Sequence, residues 1–554
     1  MLDLRNRQEL RWGQLKQART SRMAHWQEIV RWMFPYSGRF FVGQRDQRES
    51  DWNEIIDEAA AHSHEVMSAG LMSTRTSPAR PWFKLQTPDP DLNKQNVVKR
   101  WLSDVEVGMR RVFRRSNTYL AYTNLYDEVG AFGNGASIIV DDDDTLIHHH
   151  VLTIGEYGVA TNARGKVDTL YREFVMSVAE AVKEFGLENC SKTVKTLWSA
   201  GELNSPVRIL HAIEPRADRD PSKIDVLNMP WASTYWEEGR DDGKYLRQSG
   251  FTRFPCAVPR WRVRANDVWG EGPGTMTLGS SVALQRMHLR YGEAVDYQTK
   301  PPLQVPPELQ SRDSDLLPGG MIPYEQTTPS GGIRSAYQVE TRLDHLLASI
   351  EDTRRRIQTG FFVPLFQPLA ALSDTTQRTA AEIMQRREEM LTMLGPVTQR
   401  LQNDMDEPII EATFDRMVAT GMIPPVPDEL RGADLDIEFI GPLAQAMKAV
   451  EAASSDRFVM TLGSLAQAKP EVLDRLDADE WVDYYGDLTG VDPRLIVPGP
   501  QAAIIRKKRA EAEAAAAQIQ AAQAQAATAR DMASASTDGN NLLTDAMRGV
   551  SGYQ

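Results

Sequence analysis

Two stretches of the sequence gather side chains that metal and acid–base chemistry use. Asp141–Asp144 precedes His148, His149 and His150 by a few residues. Carboxylates and imidazoles suit a divalent ion. Neighbouring residues on a strand point to opposite faces, however, so three consecutive histidines cannot close on one ion from a regular strand. The pattern predicts a solvated β-hairpin with an acidic turn. His62 and His64, beside Glu65, sit in a helical stretch. A spacing of two puts them on different faces, so they read as ordinary helix surface. Gly130, Gly133 and Gly135, and again Gly270, Gly272 and Gly274, lack the Gly-Lys-Ser/Thr ending of a phosphate loop and read as turns. No nucleophile motif marks a serine. Cys190 and Cys256 form neither a metal spacing nor a disulfide framework. The chemistry-bearing residues therefore point to no catalytic set, no metal and no cofactor. Two basic clusters remain. Arg354, Arg355 and Arg356 end a helical pattern, where cations complement the helix dipole and a channel-facing role is equally open. Arg506, Lys507, Lys508 and Arg509 read as a solvated helix start.

Composition bounds what such a chain can be. Its 554 residues allow two to four domains. Hydrophobic content of 41% and charged content of 25% are those of a globular protein with a large core. The net charge of −13 and pI near 5.4 argue against gripping nucleic acid over a wide surface. They are compatible with a wall past which a polyanion slides. Two cysteines fit a reducing compartment. The charged start is unlike a signal peptide, and no apolar run is long enough to predict a membrane span.

The elements must then be placed. Apolar periodicity predicts helices over 2–34, 57–74, 93–115 and 119–129. From Ala136 the period changes to strands, with a short helix at 178–185 closed by Gly186. Further strands are expected at 207–213, 232–236 and 245–251, with Trp231, Trp236, Trp261 and Trp269 clustering in an α+β domain that has its own core. Beyond a Glu-Gly-Pro-Gly breaker, 275–299 reads as a helix. Leu284, Met287, Tyr291 and Ala294 make its apolar stripe, and Arg286, Arg290 and Glu293 a polar one beside it. A proline-rich excursion over 301–341 has Leu303, Val305, Leu316, Leu317, Met321, Ile322 and Tyr324 available to pack. A second helix follows to about 358, antiparallel to the first. Phe361, Phe362, Pro364, Phe366 and Gln367 then form a stretch that prolines keep from being helical throughout. A long helix over 377–420 should bend at Pro396 and Pro408. An Ala- and Gln-rich helix over 501–533 follows a mixed region, with a loosely held tail.

Several strings in order carry a resemblance: MAHWQEIVRWMFPYSGRF, SAGLMSTRTSPARPWFKLQTPD, RRSNTYLAYTNLYDEVGAFGNGASIIVDD, TIGEYGVATNARGKVDTLYREFVMSVAEAVKEFG and TAAEIMQRREEMLTMLGPVTQRLQNDMDEPII. Together they span roughly residues 5 to 420 and resemble the head-to-tail connector (portal) family of short-tailed bacteriophages. The resemblance implies an α+β, mainly helical subunit that is not an enzyme. Copies of it, twelve in common cases, form a ring at one capsid vertex, assembled in the host cytoplasm. Double-stranded DNA passes through the ring. Terminase, tail adaptor, scaffold and major capsid proteins are its partners, and no membrane is involved. It further implies a wing over 1–270, stem helices at 271–300 and 342–360, and a clip over 301–341 that docks terminase and adaptors. A tunnel loop over 361–376, a wing helix at 377–425, a crown over 426–500 and a possible helical barrel over 501–554 complete it. The channel would be lined by Phe361, Phe362, Pro364, Phe366 and Gln367 with the arginines and glutamate of the stem. Deleting 361–368 is then expected to spare assembly and impair packaging. A tail adaptor or scaffold without a channel is the alternative.

Overall fold

The computed structural model describes residues 4–534 apart from 36, 41–54, 224, 241, 266, 306–316, 325–333, 337–342, 367–379, 433, 445–457, 467–468, 470, 472–475, 490–496 and 498. The chain divides into two compact units, Met1–Met447 and Lys448–Gln554. Helix dominates the described residues, and four small sheets accompany it, which is the α+β, mainly helical class.

In the first unit, α1 (Leu4–Trp32) buries Trp12, Trp26 and Ile29, and α2 (Ala59–Arg75) buries Met67 and Leu71. Strand β1 (Phe83–Gln86) and the short α3 (Pro90–Lys94) lead to α4 (Asn96–Arg115). That helix has a sharply two-sided sequence. Val98, Trp101, Leu102, Val105, Met109, Val112 and Phe113 fall on its buried face. α5 (Thr118–Phe132) ends at Gly133, whose φ of 78° is left-handed and which glycine adopts without a Cβ penalty. Of the glycine-rich strings, Gly133, Gly135, Gly270 and Gly272 lie in connections as expected, whereas Gly130 falls inside α5 and Gly274 in the first turn of the helix that begins at Pro273. A Cβ on Gly274 would lie 2.1 Å from the Ala131 carbonyl oxygen, so the end of α5 touches the start of α8 (Pro273–Thr299) backbone to backbone.

Strands β2 (Ala136–Asp142) and β3 (Leu146–Leu152) form the expected hairpin. His148 and His150 share one face, with ring centroids 4.9 Å apart, and His149 points the other way. His149 is not solvated. It is buried, its Nε2 is 3.1 Å from Thr118 Oγ1, and burial pushes its imidazole down to about 3. β4 (Tyr157–Thr161), β5 (Val167–Ser177), β6 (Pro206–Pro215), β7 (Trp231–Glu237) and β8 (Arg247–Phe251) form an antiparallel sheet in chain order. Two helices, α6 (Val178–Phe185) and α7 (Lys192–Ala200), pack beside it. A Ser177–Glu180 capping box starts α6 and Gly186 ends it. The sheet has small cores of its own, one around Val178, Ile209 and Tyr235 and one around Trp12, Tyr171 and Trp236. The four tryptophans do not cluster as expected: Trp261 and Trp269 belong to the main core, where Trp269 meets Trp26 edge-on at 5.1 Å. β9 (Cys256–Ala257) adds to the β2–β3 sheet.

α8 (Pro273–Thr299) leads to three short strands, β10 (Leu303–Val305), β11 (Met321–Pro323) and β12 (Arg334–Ser335), with β10 in the middle. The chain returns through α9 (Leu343–Gly360) and the single turn of α10 (Val363–Phe366). The expected long helix is α11 (Ala380–Leu401) and α12 (Glu407–Ala419), joined by a π-helical turn at Gln402–Asp406. Pro408 explains that turn. It has no N–H to give the Asp404 carbonyl, which instead accepts from the Val258 amide at 2.9 Å. β13 (Asp436–Phe439) pairs antiparallel with β1 and returns the chain to its first strand.

The second unit contains α13 (458–466), α14 (Ala478–Thr489) and α15 (Gly499–Ser534). Arg506 pairs with Asp479, while Lys507, Lys508 and Arg509 are exposed, as a solvated helix start requires.

Candidate functional site

The candidate site is the hairpin of α8 and α9, the strands at its tip and the turn beyond it. Its helices run antiparallel. Gly360 at the end of α9 lies where a Cβ would come within 2.3 Å of Thr277 near the start of α8. Farther along, Ser349 Oγ reaches Met287 Sδ at 3.5 Å. The apolar stripe faces inward as expected: Leu284 is buried, Met287 and Tyr291 pack against the core, and Ile350 and Ile357 of α9 are buried. The polar stripe is outside. Arg286 is exposed, and Arg290 and Glu293 form an exposed pair at 3.5 Å. Arg355 is exposed, and Arg356 pairs with Asp352 at 2.6 Å.

Arg354 departs from its neighbours. Its Nε and Nη2 approach Asp57 Oδ2 at 2.9 and 2.8 Å, and His288 Nε2 meets the same oxygen at 2.8 Å. Asp57 Oδ1 accepts from the Ala59 amide at 2.8 Å and so satisfies the first N–H of α2 from the residue before its N-cap, Glu58. Gln285 completes the clasp. Its Oε1 accepts from the Ile56 and Asp57 amides at 2.8 and 2.9 Å, and its Nε2 donates to the Asp57 carbonyl at 2.8 Å. Arg354 therefore ties the root of the hairpin to α2, which corrects its expected channel-facing role. The sequence reading missed Asp57, Gln285 and His288. An acidic residue just before α2 is a helix-start signal that could have found Asp57; no local signal points to Gln285 or His288.

The turn beyond α9 is also corrected. Phe361 is 0% exposed and packs at 6.3 Å edge-on to Phe34 and at 6.0 Å to His64. Val363 and Leu365 are buried too. Phe362, at the left-handed φ of 57°, is half-buried against Trp261. Pro364 and Phe366 are half-buried, and a Cβ on Gly70 would come within 2.2 Å of the Phe366 ring. Residues 361–366 thus plug the hairpin into the core and are not a free loop. Aromatic side chains gain too much from burial to stay in solvent when a cavity accepts them. Gln367 and the remainder of the expected tunnel loop lie outside the described residues. His64 is corrected along with Phe361: it is a core residue whose Nε2–H donates to the Asp127 carbonyl at 2.8 Å, while His62 is exposed on the other face.

At the hairpin tip, Leu303, Met321 and Tyr324 are half-buried and Leu317 is 61% exposed. Val305 is buried, so it holds the small sheet together and offers nothing to a partner, contrary to expectation. Leu316 lies outside the described residues.

Behind the hairpin, Arg75 of α2 pairs with Asp406 in the π turn, both fully enclosed. Arg75 Nη1 also donates to Tyr126 Oη at 3.1 Å. Burial pushes the Asp406 carboxyl up to about 6 against the pull of Arg75. Among the described residues no group of three or more His, Cys, Asp or Glu is arranged to hold a metal ion. No helix there is long and apolar enough to cross a membrane.

A buried-rooted helical hairpin with a polar flank, set on a core of this size, is a scaffold geometry. Comparison with known proteins agrees in kind. The family model for bacteriophage head to tail connecting protein matches residues 5–497. The chain belongs to this family. Among its relatives, a probable portal protein of Bordetella phage BPP-1 is 47% identical over 543 residues, covering 98% of each chain. The portal protein of Salmonella phage epsilon15 is 38% identical over 533 residues, covering 96% of each. A chain in the virion of a native gene transfer agent particle aligns at 13% identity and a TM-score of 0.37 over 84% of this chain and 99% of that one, too distant a likeness to place residues. The connector family accounts for the strings that run from residue 5 to 420 and extends the match into the region after 440 that no string marked.

Proposed function

We propose that this chain is a portal subunit. Copies form a ring at one capsid vertex, and its axial channel admits duplex DNA during packaging and releases it at ejection. The observation that carries the reading is end-to-end relatedness, 47% identity over 98% of both chains, to a protein described as a portal. The hairpin supports it. α8 and α9 are the stem, the β10–β12 sheet is the clip that meets terminase and tail adaptors, and the unit built on the large core is the wing that meets capsid and scaffold. The exposed Arg286, Arg290, Glu293, Arg355 and Arg356 are the stem side chains that face the channel. The second unit is the crown. The role is structural and passive. Net acidity lowers the friction of a sliding polyanion, because contacts with phosphate stay few and weak. Negative-stain microscopy of the purified chain tests the reading. Closed rings with an axial hole, about twelve subunits each, are expected. Monomers, or assemblies without a central hole, overturn it.

A further inference from the structure

The stem does not account for the charge on α4. In a chain of net charge −13, this helix carries Lys99, Arg100, Arg110, Arg111, Arg114 and Arg115 against Asp104 and a buried Glu106. Glu106 is occupied on the inner side, accepting the Leu85 amide at 2.9 Å. Lys99, Arg100, Arg111, Arg114 and Arg115 are exposed and Arg110 is half-exposed. Among the described residues none of the six forms an ion pair; Arg115 reaches only the Asp144 carbonyl, at 3.5 Å.

Helix stability does not explain them. Arg114 and Arg115 in the last turn complement the dipole, but Lys99 and Arg100 near the first turn oppose it. On the helical wheel, Arg100, Arg111 and Arg114 fall on the outer centre line, with Lys99 and Arg110 along one edge and Arg115 along the other. From Lys99 to Arg115 the ridge is about 24 Å long at 1.5 Å per residue. Its only large exposed apolar side chains are Val97 and Val107, and both described cavities are lined by other residues. A protein partner would want a large aromatic or aliphatic anchor, and this face offers only the two valines among six cations. A convex, cationic, arginine-rich ridge fits a partner that supplies dense charge and its own grooves. Five of the six cations are arginine, whose planar fork matches phosphate.

We propose that the outer face of α4 binds the phosphate backbone of double-stranded DNA, outside any channel and without reading sequence. This gives an otherwise repellent acidic surface one localised grip. The proposal rests on the portal reading only for the presence of duplex DNA, not for the geometry.

The test uses the full-length protein and a covalently closed DNA minicircle, which cannot thread an axial hole. Binding is read by fluorescence anisotropy between 50 and 200 mM salt. Engagement of about four phosphates gives a slope of log K on log salt near −3.6, roughly a 150-fold loss over that range. The triple variant Arg100→Gln/Arg111→Gln/Arg114→Gln should bind at least tenfold more weakly at 50 mM, with a slope shallower by about 2.7. Lys507→Gln/Lys508→Gln, which also removes positive charge, should bind as the parent does. Equal binding by the triple variant and the parent overturns the proposal, as does no minicircle binding at 50 mM. Binding of a polyglutamate peptide to the α4 face without binding of the minicircle also overturns it, in favour of an acidic protein partner. Thermal unfolding confirms that the triple variant is folded, since exposed substitutions of this kind shift stability little. Ring imaging of the same samples separates the two readings: rings without minicircle binding sink only this one, and minicircle binding without rings sinks only the portal.

Discussion

Replacing Asp57 by alanine should loosen the root of the hairpin. Three contacts are lost; the His288 contact at 2.8 Å adds to the two that set the minimum cost. The first is the hydrogen bond that Oδ1 accepts from the Ala59 amide at the start of α2, worth about 1 kcal/mol. The second is the charge-assisted contact with Arg354. It falls at the low end of the range for such bonds, about 1.5 kcal/mol, because the guanidinium is 35% exposed and retains Glu351 at 2.5 Å. The sum of about 2.5 kcal/mol corresponds to roughly a 60-fold rise in local opening, at 1.4 kcal/mol per tenfold. Asp57→Asn keeps a side-chain oxygen for the Ala59 amide but turns an amide N–H towards Arg354. It should cost about 1.5 kcal/mol, roughly a 12-fold rise. Hydrogen–deuterium exchange resolved to the Ile56 and Asp57 amides, α8 and α9 reads both changes, with the β5–β6 strands as the internal control. The reasoning fails if Asp57→Ala leaves exchange in α8 and α9 at parental rates, or if the Asn variant opens as readily as the Ala variant.

Other expectations follow from the same packing. Phe361→Ala should cost about 3–5 kcal/mol and lower the yield of folded protein, so deletion of 361–368 should damage folding and not merely packaging; denaturant unfolding of the point variant checks this. Asp406→Asn should cost about 3–5 kcal/mol by stranding the buried Arg75 charge, whereas Arg75→Met with Asp406→Leu should recover most of that loss, measured as the denaturant midpoints of the two variants. Gly274→Ala should cost about 1–3 kcal/mol despite the better helix propensity of alanine, because the obstacle is the Ala131 backbone; its melting temperature decides. Glu128 accepts Thr153 Oγ1 at 2.6 Å and the Ile154 amide at 3.0 Å, yet burial pushes its carboxyl up from 4.5 to about 7. A raised carboxyl favours the folded state at low pH, and that contribution is lost as pH rises through about 7. Glu128→Gln should therefore lose less stability than the parent between pH 5 and pH 8, by up to about 2.5 kcal/mol, in denaturant titrations at the two values.

What periodicity could reach, it reached well. The β2–β3 hairpin, the capped α6 before Gly186, and the helix–excursion–helix from α8 to α9 are all written in local spacing, because a strand repeats every two residues and a helix every 3.6. The histidine triplet was legible as a set that cannot converge, and the structure splits it across two faces. The turn reading of the glycine strings holds for Gly133, Gly135, Gly270 and Gly272 but not for Gly130 and Gly274, which lie in helices, and nothing local marked the place where α5 and α8 touch. The π turn was half legible: Pro408 announced a bend, while the Val258 amide that satisfies the Asp404 carbonyl comes from another part of the chain.

The sequence alone determined the class of molecule: an acidic, α+β, mainly helical chain with a paired-helix hairpin, ordered strings of one family and no motif for catalysis. Those properties are sums or short-range repeats, so they survive without coordinates. Only the tertiary structure decided which side chains the fold consumes. Asp57 meets Arg354 across 297 residues, and Arg75 meets Asp406 across 331. No spacing rule spans such distances. Phe361 and Arg354 have chemistries that suit a channel wall and a buried contact alike. Burial of an aromatic ring, and the pairing of a cation beside a buried carboxylate, are settled by what the rest of the chain places next to them. Among the described residues, the same physics leaves the cations of α4 without ion pairs.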